Sequence, residues 1–416
     1  MKNIIQILFF CFGLGLTNVN GSSLTICSTC DFQTFPSAFE ASQHGDTLLI
    51  LGGKHKIKNI EIDKSITIIG KDNAELISRD GNEILTVTAN NVEIRGLIFS
   101  GVQTSYLKEY SAIRVRRVRD FHIHHNTINE CFFGIYLERV KEGIVSHNNI
   151  HGKLKTEAES GNAIHAWYSD SLYIASNEIS GHRDGIYLEF VHYSKMVDNY
   201  SHDNMRYGLH FMFSNDDTYS ENRFENNGVG VAVMFSRRII MNKNRFTDNW
   251  GRSSYGLLLK EIFDGEIYDN AFNNNTIGIF VEGSNRIKYH NNTFYSNGWA
   301  IKFSGGCESN EIYKNDFLYN SLDLIVSTQL NDNIIHSNYW SDYTGYDLDR
   351  NGIGDIPYYP VKLFSYVLNE VPESIVLMRS LFIDILNYSE KVSPILTPKE
   401  VADKLPAMQQ INSHLN

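Results

Sequence analysis

Between residues 112 and 338, short apolar runs alternate with polar residues and recur down the chain. GIYLERV, GIYLEFV, GLHFMFS, GVAVMFS, GLLLKEI and GIFVEGS all open on Gly and then place an apolar side chain at every second position. Such alternation marks strands that bury one face. An Asn with an apolar or aromatic residue two places on recurs at Asn126, Asn148, Asn177, Asn199, Asn222, Asn244, Asn270, Asn292, Asn315 and Asn338, with Ser201 standing in after Asn199. The spacing of 22 to 29 residues is too short for a propeller blade or a helical hairpin, which need roughly 34–45. No stretch of the repeats holds apolar residues at three-and-four spacing, so a helical repeat is excluded. What remains is an all-β chain, a parallel β-solenoid in which each repeat is one coil.

Coils stack at about 4.8 Å, the spacing of paired strands, so equivalent positions form columns along the axis. The inward columns should be apolar, and they are. The first place after the Gly or Ala reads Ile113, Ile135, Ile164, Ile186, Leu209, Val231, Leu257, Ile279 and Ile301. Two places on stand Val115, Leu137, Ala166, Leu188, Phe211, Val233, Leu259, Val281 and Phe303. A turn column of Asn204, Asn227, Asn249, Asn275, Asn297 and Asn320 follows each repeat Asn by five residues. Stacked amides there can pair with one another, and Asn tolerates a left-handed backbone at a tight corner. KLKTEAES after Gly152 and GRSSYG after Trp250 read as insertions at corners.

The ends divide the chain further. Residues 1–21 read as a secretory signal peptide, with Lys2 at its start, an apolar stretch from Ile4 to Leu16 and a small residue at Gly21, so the mature protein is expected outside the cytoplasm. Residues 22–111 form an N-terminal cap and the first, less regular coils. Within them FPSAFEASQ, 35–43, predicts a short amphipathic helix that plugs the open end of the first coil. Regular coils occupy 112–343, and an Asp- and Gly-rich loop and connector 344–371. Residues 372–416 predict helices: one from Pro372 through Ile375 to Leu386, apolar at Val376, Leu377, Leu381, Phe382 and Ile385, and a short second one signalled by Thr397, Pro398 and Glu400. These helices either cap the solenoid or dock on a membrane partner; they are too short to span a bilayer, which takes about 20 apolar residues. Cys11 leaves with the signal, Cys131 and Cys307 are far apart, and Cys27 and Cys30 form a CxxC. A disulfide there is favoured over a zinc or redox role, because no second ligand pair stands at zinc-finger spacing.

Lys and Arg number 37 against 48 Asp and Glu, a formal charge of −11. A phosphate backbone needs a basic surface, so nucleic acid is excluded as a ligand. Chemistry is sought on the outward positions, which the core does not dictate. The second place after the Gly or Ala carries Arg114, Tyr136, His165, Tyr187, His210, Ala232, Leu258, Phe280 and Lys302; the fourth carries Arg116, Glu138, Trp167, Glu189, Met212, Met234, Lys260, Glu282 and Ser304. Met212 and Met234 are thus neighbours one coil apart, with His210 about 7 Å from Met212 on the same strand. Two thioethers and an imidazole are soft ligands suited to Cu(I). His165, two coils below His210 at about 10 Å, is placed for a relay step. His125 and His147 are equivalent residues of adjacent coils, and His182, His202 and Met205 gather at the corner before GLHFMF. In DLDRNGIGD, Asp347, Asp349, Asn351 and Asp355 offer hard oxygens at alternate places, as in calcium loops, without the closing Glu; a hydrogen-bonded Asx-rich turn is the alternative. An exported β-solenoid can also be a polysaccharide lyase or epimerase, for which Glu138, Glu189, Asp184 and Arg183 would be the reacting groups and Trp167 and Tyr187 the sugar platforms. Two carboxylates must then flank one bond at about 5–9 Å. Glu138 and Glu189, two coils apart at about 10 Å, fit poorly, so a non-enzymatic role is expected.

The run RDGIYLEFVHYSKMVDNYSHDNMRYGLHFMFSNDDTYSENRFENNGVGVAVMFSRRI, 183–239, resembles the NosD family of periplasmic accessory proteins in nitrous-oxide reductase maturation. The resemblance extends through NYWSDYTGYDLDRNGIGDIPYY to the apolar C-terminal tail. It implies a non-catalytic, right-handed parallel β-helix working with an ABC transporter of ATPase and permease. Such a protein would receive copper from a small lipoprotein chaperone and help assemble the copper–sulfur centre of the reductase. The family pattern does not itself name ligands. His210, Met212 and Met234 fall inside its most distinctive run, whereas the CxxC lies outside what it implies.

Overall fold

A computed structural model describes residues 21–326, 332–371, 374, 377, 380–392 and 401–412; the signal-peptide residues 1–20 and the helix signal at Thr397, Pro398 and Glu400 lie outside these. The chain winds into a parallel β-solenoid walled by three sheets of 14, 12 and 13 strands, each strand pairing with its equivalent one coil away. The register follows the columns: Ile186 pairs with Leu209 and Leu209 with Val231, and all three are fully buried. Two places after each repeat Asn, the rings of Phe224, Phe246, Phe272, Phe294, Phe317 and Trp340 form one internal stack with centroids 4.1–5.5 Å apart. Ser201 keeps its place in the wall by polar means. Its hydroxyl donates to Gly208 O at 2.7 Å and accepts from Asn204 Nδ2 at 3.0 Å.

The repeat Asn residues form a ladder inside the wall. Asn222 Nδ2 donates to Asn244 Oδ1 at 3.0 Å and to Met196 O at 2.9 Å, while Asn222 Oδ1 accepts from Asn199 N at 3.0 Å and from Asn199 Nδ2 at 2.9 Å. The same pattern runs from Asn126 to Asn338. The turn column from Asn204 to Asn320 builds a second ladder. In both, the left-handed residue is the one just before the Asn: Asp203, Asn226, Asp248, Asn274, Ser296 and Tyr319 in the turn column, and His125, His147, Ser176 and Asp198 among those of the first. The expectation that the stacked Asn takes the left-handed backbone is therefore corrected. Its amide must point into the wall to reach two backbone groups, and its predecessor makes the corner.

The ends are covered differently. A seven-residue helix, α1 (Phe35–Ala41), starts at Thr34, whose hydroxyl accepts from Ser37 N, and buries Phe35 and Ala38 against the first coil. At the far end a helix not foreseen in the connector, α2 (Leu363–Glu370), and α3 (Leu381–Val392) pack through Phe364, Leu368 and Ile383 onto Leu322 and Ile325 of the last coil. Residues 401–412 are not helical. They return as turns and bridges across the end of the solenoid, where the fully buried Asp403 terminates the Asn ladder. Cys27 and Cys30 are joined as a disulfide. No helix among the described residues is long and apolar enough to cross a membrane.

Candidate functional site

The site lies on the 12-stranded sheet, on strands Asn162–Trp167, Asp184–Glu189, Tyr207–Met212 and Val229–Met234. A groove of about 660 Å³ runs over it, lined by His165, Asp184, Tyr187, Arg206, His210 and Met212 among others. Its edge is raised by the insertion after Gly152, because Arg206 Nη1 reaches Glu157 Oε1 of that insertion at 2.9 Å.

The two outward columns share one face but are not equally open. Met212 pairs in register with Met234, and both are half-buried. His210, expected on an exposed groove, is 4% exposed. The rings of Tyr207 and Tyr187 stand over it at 4.5 and 4.9 Å, and apolar contact with them outweighs hydration of a lone imidazole. Neither ring nitrogen of His210 has a hydrogen-bond partner, nor do the carboxylate oxygens of Asp184. His210 Nδ1 lies 3.7 Å from Asp184 Oδ2, and Arg206 Nε lies 3.4 Å from Asp184 Oδ1. The buried imidazole and carboxylate thus form a polar floor with Arg206 beside it.

Met212 accepts a weak contact from Tyr187 Oη at 3.9 Å. Met234 turns toward an apolar shoulder of Val229, Ala232 and Leu258, flanked by Tyr207, Tyr255 and Phe280. His165 is kept apart from these groups. Its ring stacks on Tyr136 at 4.4 Å and meets Tyr187 at 4.7 Å, so Tyr187 stands between the two histidines. Burial, reinforced by the charges of Arg183 and Arg114, brings the His165 pKa down to about 3, so its ring is neutral at physiological pH. Burial pushes the Tyr187 phenol up to about 12. Among the described residues no three His, Cys, Asp or Glu side chains are grouped to hold an ion.

Asp184 was assigned to sugar chemistry in the sequence, and its place beside His210 was missed for a geometric reason. Simple alternation puts it inside with Ile186. A Cβ on Gly185, however, would lie 2.2 Å from the buried Ser201 Oγ, so Gly185 and Ile186 both face the interior and the alternation slips by one. Asp184 thereby joins the outward face. The missing Cβ at each opening Gly is the signal that could have shown this.

The remaining candidates are placed elsewhere. Glu138 is engaged by Arg116 Nε at 3.0 Å and stands two strands from Glu189, with Trp167 between them. In the 347–355 loop, Asp347 accepts from Asn351 N and Gly352 N at 3.1 and 2.8 Å, Asp349 from Asn351 N at 3.2 Å, and Asp355 from Leu348 N at 2.8 Å. The bond from Asn351 N to Asp349 is an Asx turn, and the others tie the loop across its width.

Residues 146–345, which contain Asp184, Arg206, His210, Met212 and Met234, match the model of a family described as NosD, periplasmic copper-binding protein. Over this span the chain is similar to the NosD family. Over 113 residues it is 31% identical to the probable ABC transporter binding protein NosD of Stutzerimonas stutzeri and 29% identical to that of Pseudomonas aeruginosa. Each match covers 26% of this chain and 26% of the relative, so the similarity to these NosD proteins spans about a quarter of their length. Among solved structures, the Azotobacter vinelandii mannuronan C-5 epimerase AlgE6 A-module superposes with a TM-score of 0.60 at 12% identity, covering 74% of this chain and 95% of that one. The Dettilon tailspike protein gives 0.53 at 13% identity over 71% and 62%. These likenesses show the β-solenoid fold of this chain and nothing of its chemistry.

Proposed function

We propose that this chain is a periplasmic accessory protein of an ABC transporter system that takes up Cu(I) transiently in the groove and passes it on for assembly of the copper–sulfur centre of nitrous-oxide reductase. The reading is carried by the in-register pair Met212 and Met234 beside His210, whose ring nitrogens have no hydrogen-bond partner. Thioether and imidazole donors select a soft monovalent ion over oxygen-preferring ones. His210 and Met212 hold the ion at the groove floor, Met234 closes on it from the apolar shoulder, and Asp184 offsets its charge from below. Low coordination by half-buried side chains suits cargo that must leave again. His165, neutral and behind Tyr187, serves a transfer step. A small chaperone lipoprotein supplies the copper and the reductase receives it.

Anaerobic Cu(I) titration against a chromophoric competitor tests this. In Met212→Ala, Met234→Ala and in His210→Ala, affinity is expected to fall on the order of 100-fold, about 2.7 kcal/mol. Equal stoichiometry and affinity in the wild type and both variants would remove the site.

The C-terminal helices supply the contact to the transporter. Leu381 and Phe382 of α3 are 74% and 63% exposed, and Ile385 and Tyr388 are exposed beside them, an apolar strip on a helix whose Ile383 anchors it to the solenoid. Replacing Leu381, Phe382 and Ile385 with Ser is expected to abolish co-purification with the permease while leaving Cu(I) affinity unchanged. Retained co-purification would place the docking surface elsewhere.

A second reading, a polysaccharide lyase or epimerase, draws on one observation: buried Asp184 stands with Arg206, Tyr187 and His210 in a groove of sugar-accommodating size. Release of unsaturated or epimerised products from polyuronates would favour it over copper handling.

A further inference from the structure

A second cluster of ligating side chains lies on a different sheet of the solenoid, on strands Glu93–Arg95, His122–His124 and Ile144–Ser146. His122 and His124 share one face of one strand, their rings 3.8 Å apart. His125 and His147 are the left-handed corner residues of two successive coils, at φ 52° and 54°, and their rings stack in parallel at 4.8 Å. Folding does not demand histidine here, because later coils fill the same corner with Ser176, Asp198, Glu221 and Lys243.

The hydrogen bonding fixes how these rings face one another. Glu93 Oε1 lies 3.0 Å from His124 Nε2. A carboxylate only accepts, so the His124 proton sits on Nε2 and its Nδ1 lone pair accepts the Nδ1–H of His125, a proton that a metal ion bound between the two nitrogens would displace. That Nδ1 lies 2.7 Å from Nδ1 of His125. A carboxylate behind an imidazole is the arrangement that orients and strengthens histidine ligands to metals. Two nitrogens bound side by side to one ion at about 2.0 Å stand about 2.8–3.3 Å apart, so this pair needs to open by only a few tenths of an ångström. His125 is exposed, so the pair is open to an ion from solvent.

We propose that His124 and His125, with Glu93 orienting His124, form a two-histidine binding site for a borderline divalent transition-metal ion, Cu²⁺ above Zn²⁺, its remaining positions taken by solvent. All-imidazole donors favour these ions, and Cu²⁺ heads the affinity order. The site is separate in place and chemistry from the thioether groove and stands independently of it. Arg95 opposes a cation here, but its Nε is held 3.0 Å from Glu93 Oε1.

The test uses the full mature chain carrying Met212→Ala and Met234→Ala, so that the groove does not contribute, titrated with Cu²⁺ and followed by electron paramagnetic resonance. One equivalent of Cu²⁺ with nitrogen hyperfine structure is expected. Adding His124→Ala and His125→Ala should remove that signal while far-UV circular dichroism and the melting temperature hold. Glu93→Gln should keep the nitrogen signal and weaken binding by about 10–100-fold. An unchanged nitrogen signal in the histidine variant, or no nitrogen-ligated Cu²⁺ in the parent, overturns the site; unchanged affinity in Glu93→Gln overturns the orienting role of the carboxylate.

Discussion

Asn222→Ala is expected to destabilise the solenoid by about 3 kcal/mol, in the upper range of single substitutions. Asn222 is fully buried and makes hydrogen bonds to three other residues. Its loss leaves the Asn199 amide proton without an acceptor inside the wall, strips one bond each from Asn199 Nδ2 and Asn244 Oδ1, and removes the amide donor to Met196 O. Leaving one buried group unsatisfied costs about 1–3 kcal/mol. Asn222→Asp should be worse at neutral pH, because it sets a carboxylate oxygen against two acceptors. Its carboxyl would remain protonated in the folded state up to a higher pH than when unfolded, so the folded state binds the extra proton and stability falls as pH rises. The variant should therefore melt closer to the wild type at pH 5 than at pH 7. Denaturant titration reads the loss, and hydrogen exchange on the flanking strands shows whether it is local, since each coil of a solenoid depends mainly on its neighbours. A melting temperature within a degree of the wild type would mean that the ladder is decorative.

The second large effect is expected at the far end. Asp403 accepts hydrogen bonds from Ser337 N, Asn338 N, Asn338 Nδ2, Trp340 Nε1 and Leu405 N at 2.9–3.1 Å. Bonds to an ionised acceptor contribute about 1.5–3 kcal/mol each. Asp403→Ala orphans the last rung of the ladder together with Trp340, but the detached tail admits water, so a net loss of about 3–5 kcal/mol is expected rather than the full sum. Residues 401–412 should become the first site of protease cleavage, Trp340 emission should shift to the red, and the uncovered strand edges should drive self-association. A tail that stays protected in Asp403→Ala would refute the capping role. Asp403→Asn, which keeps the shape but turns one N–H toward these donors, should fall between.

The coils, their register and both inward columns were legible because a strand buried on one face must repeat its apolar residues at period two, and stacking aligns equivalent residues. For the same reason Met212 and Met234 could be placed side by side from numbering alone. Three things escaped. Asp184 lies beyond the slip in alternation at Gly185, which the opening glycine marks but a period-two pattern does not register. Tyr187 and Tyr207 close over His210, so a position on the outer face became a buried one. The tail at Asp403 caps a rung more than 60 residues away in sequence.

The sequence by itself determined the coil, the polar and aromatic columns and the adjacency of Met212 and Met234 on one sheet face, because these depend on periodicity, which is local information repeated. Only the tertiary structure decided which outward residues are covered, which carboxylate stands beneath the imidazole and how the ends are sealed. Those outcomes depend on contacts between segments whose separation along the chain carries no signal of their approach in space.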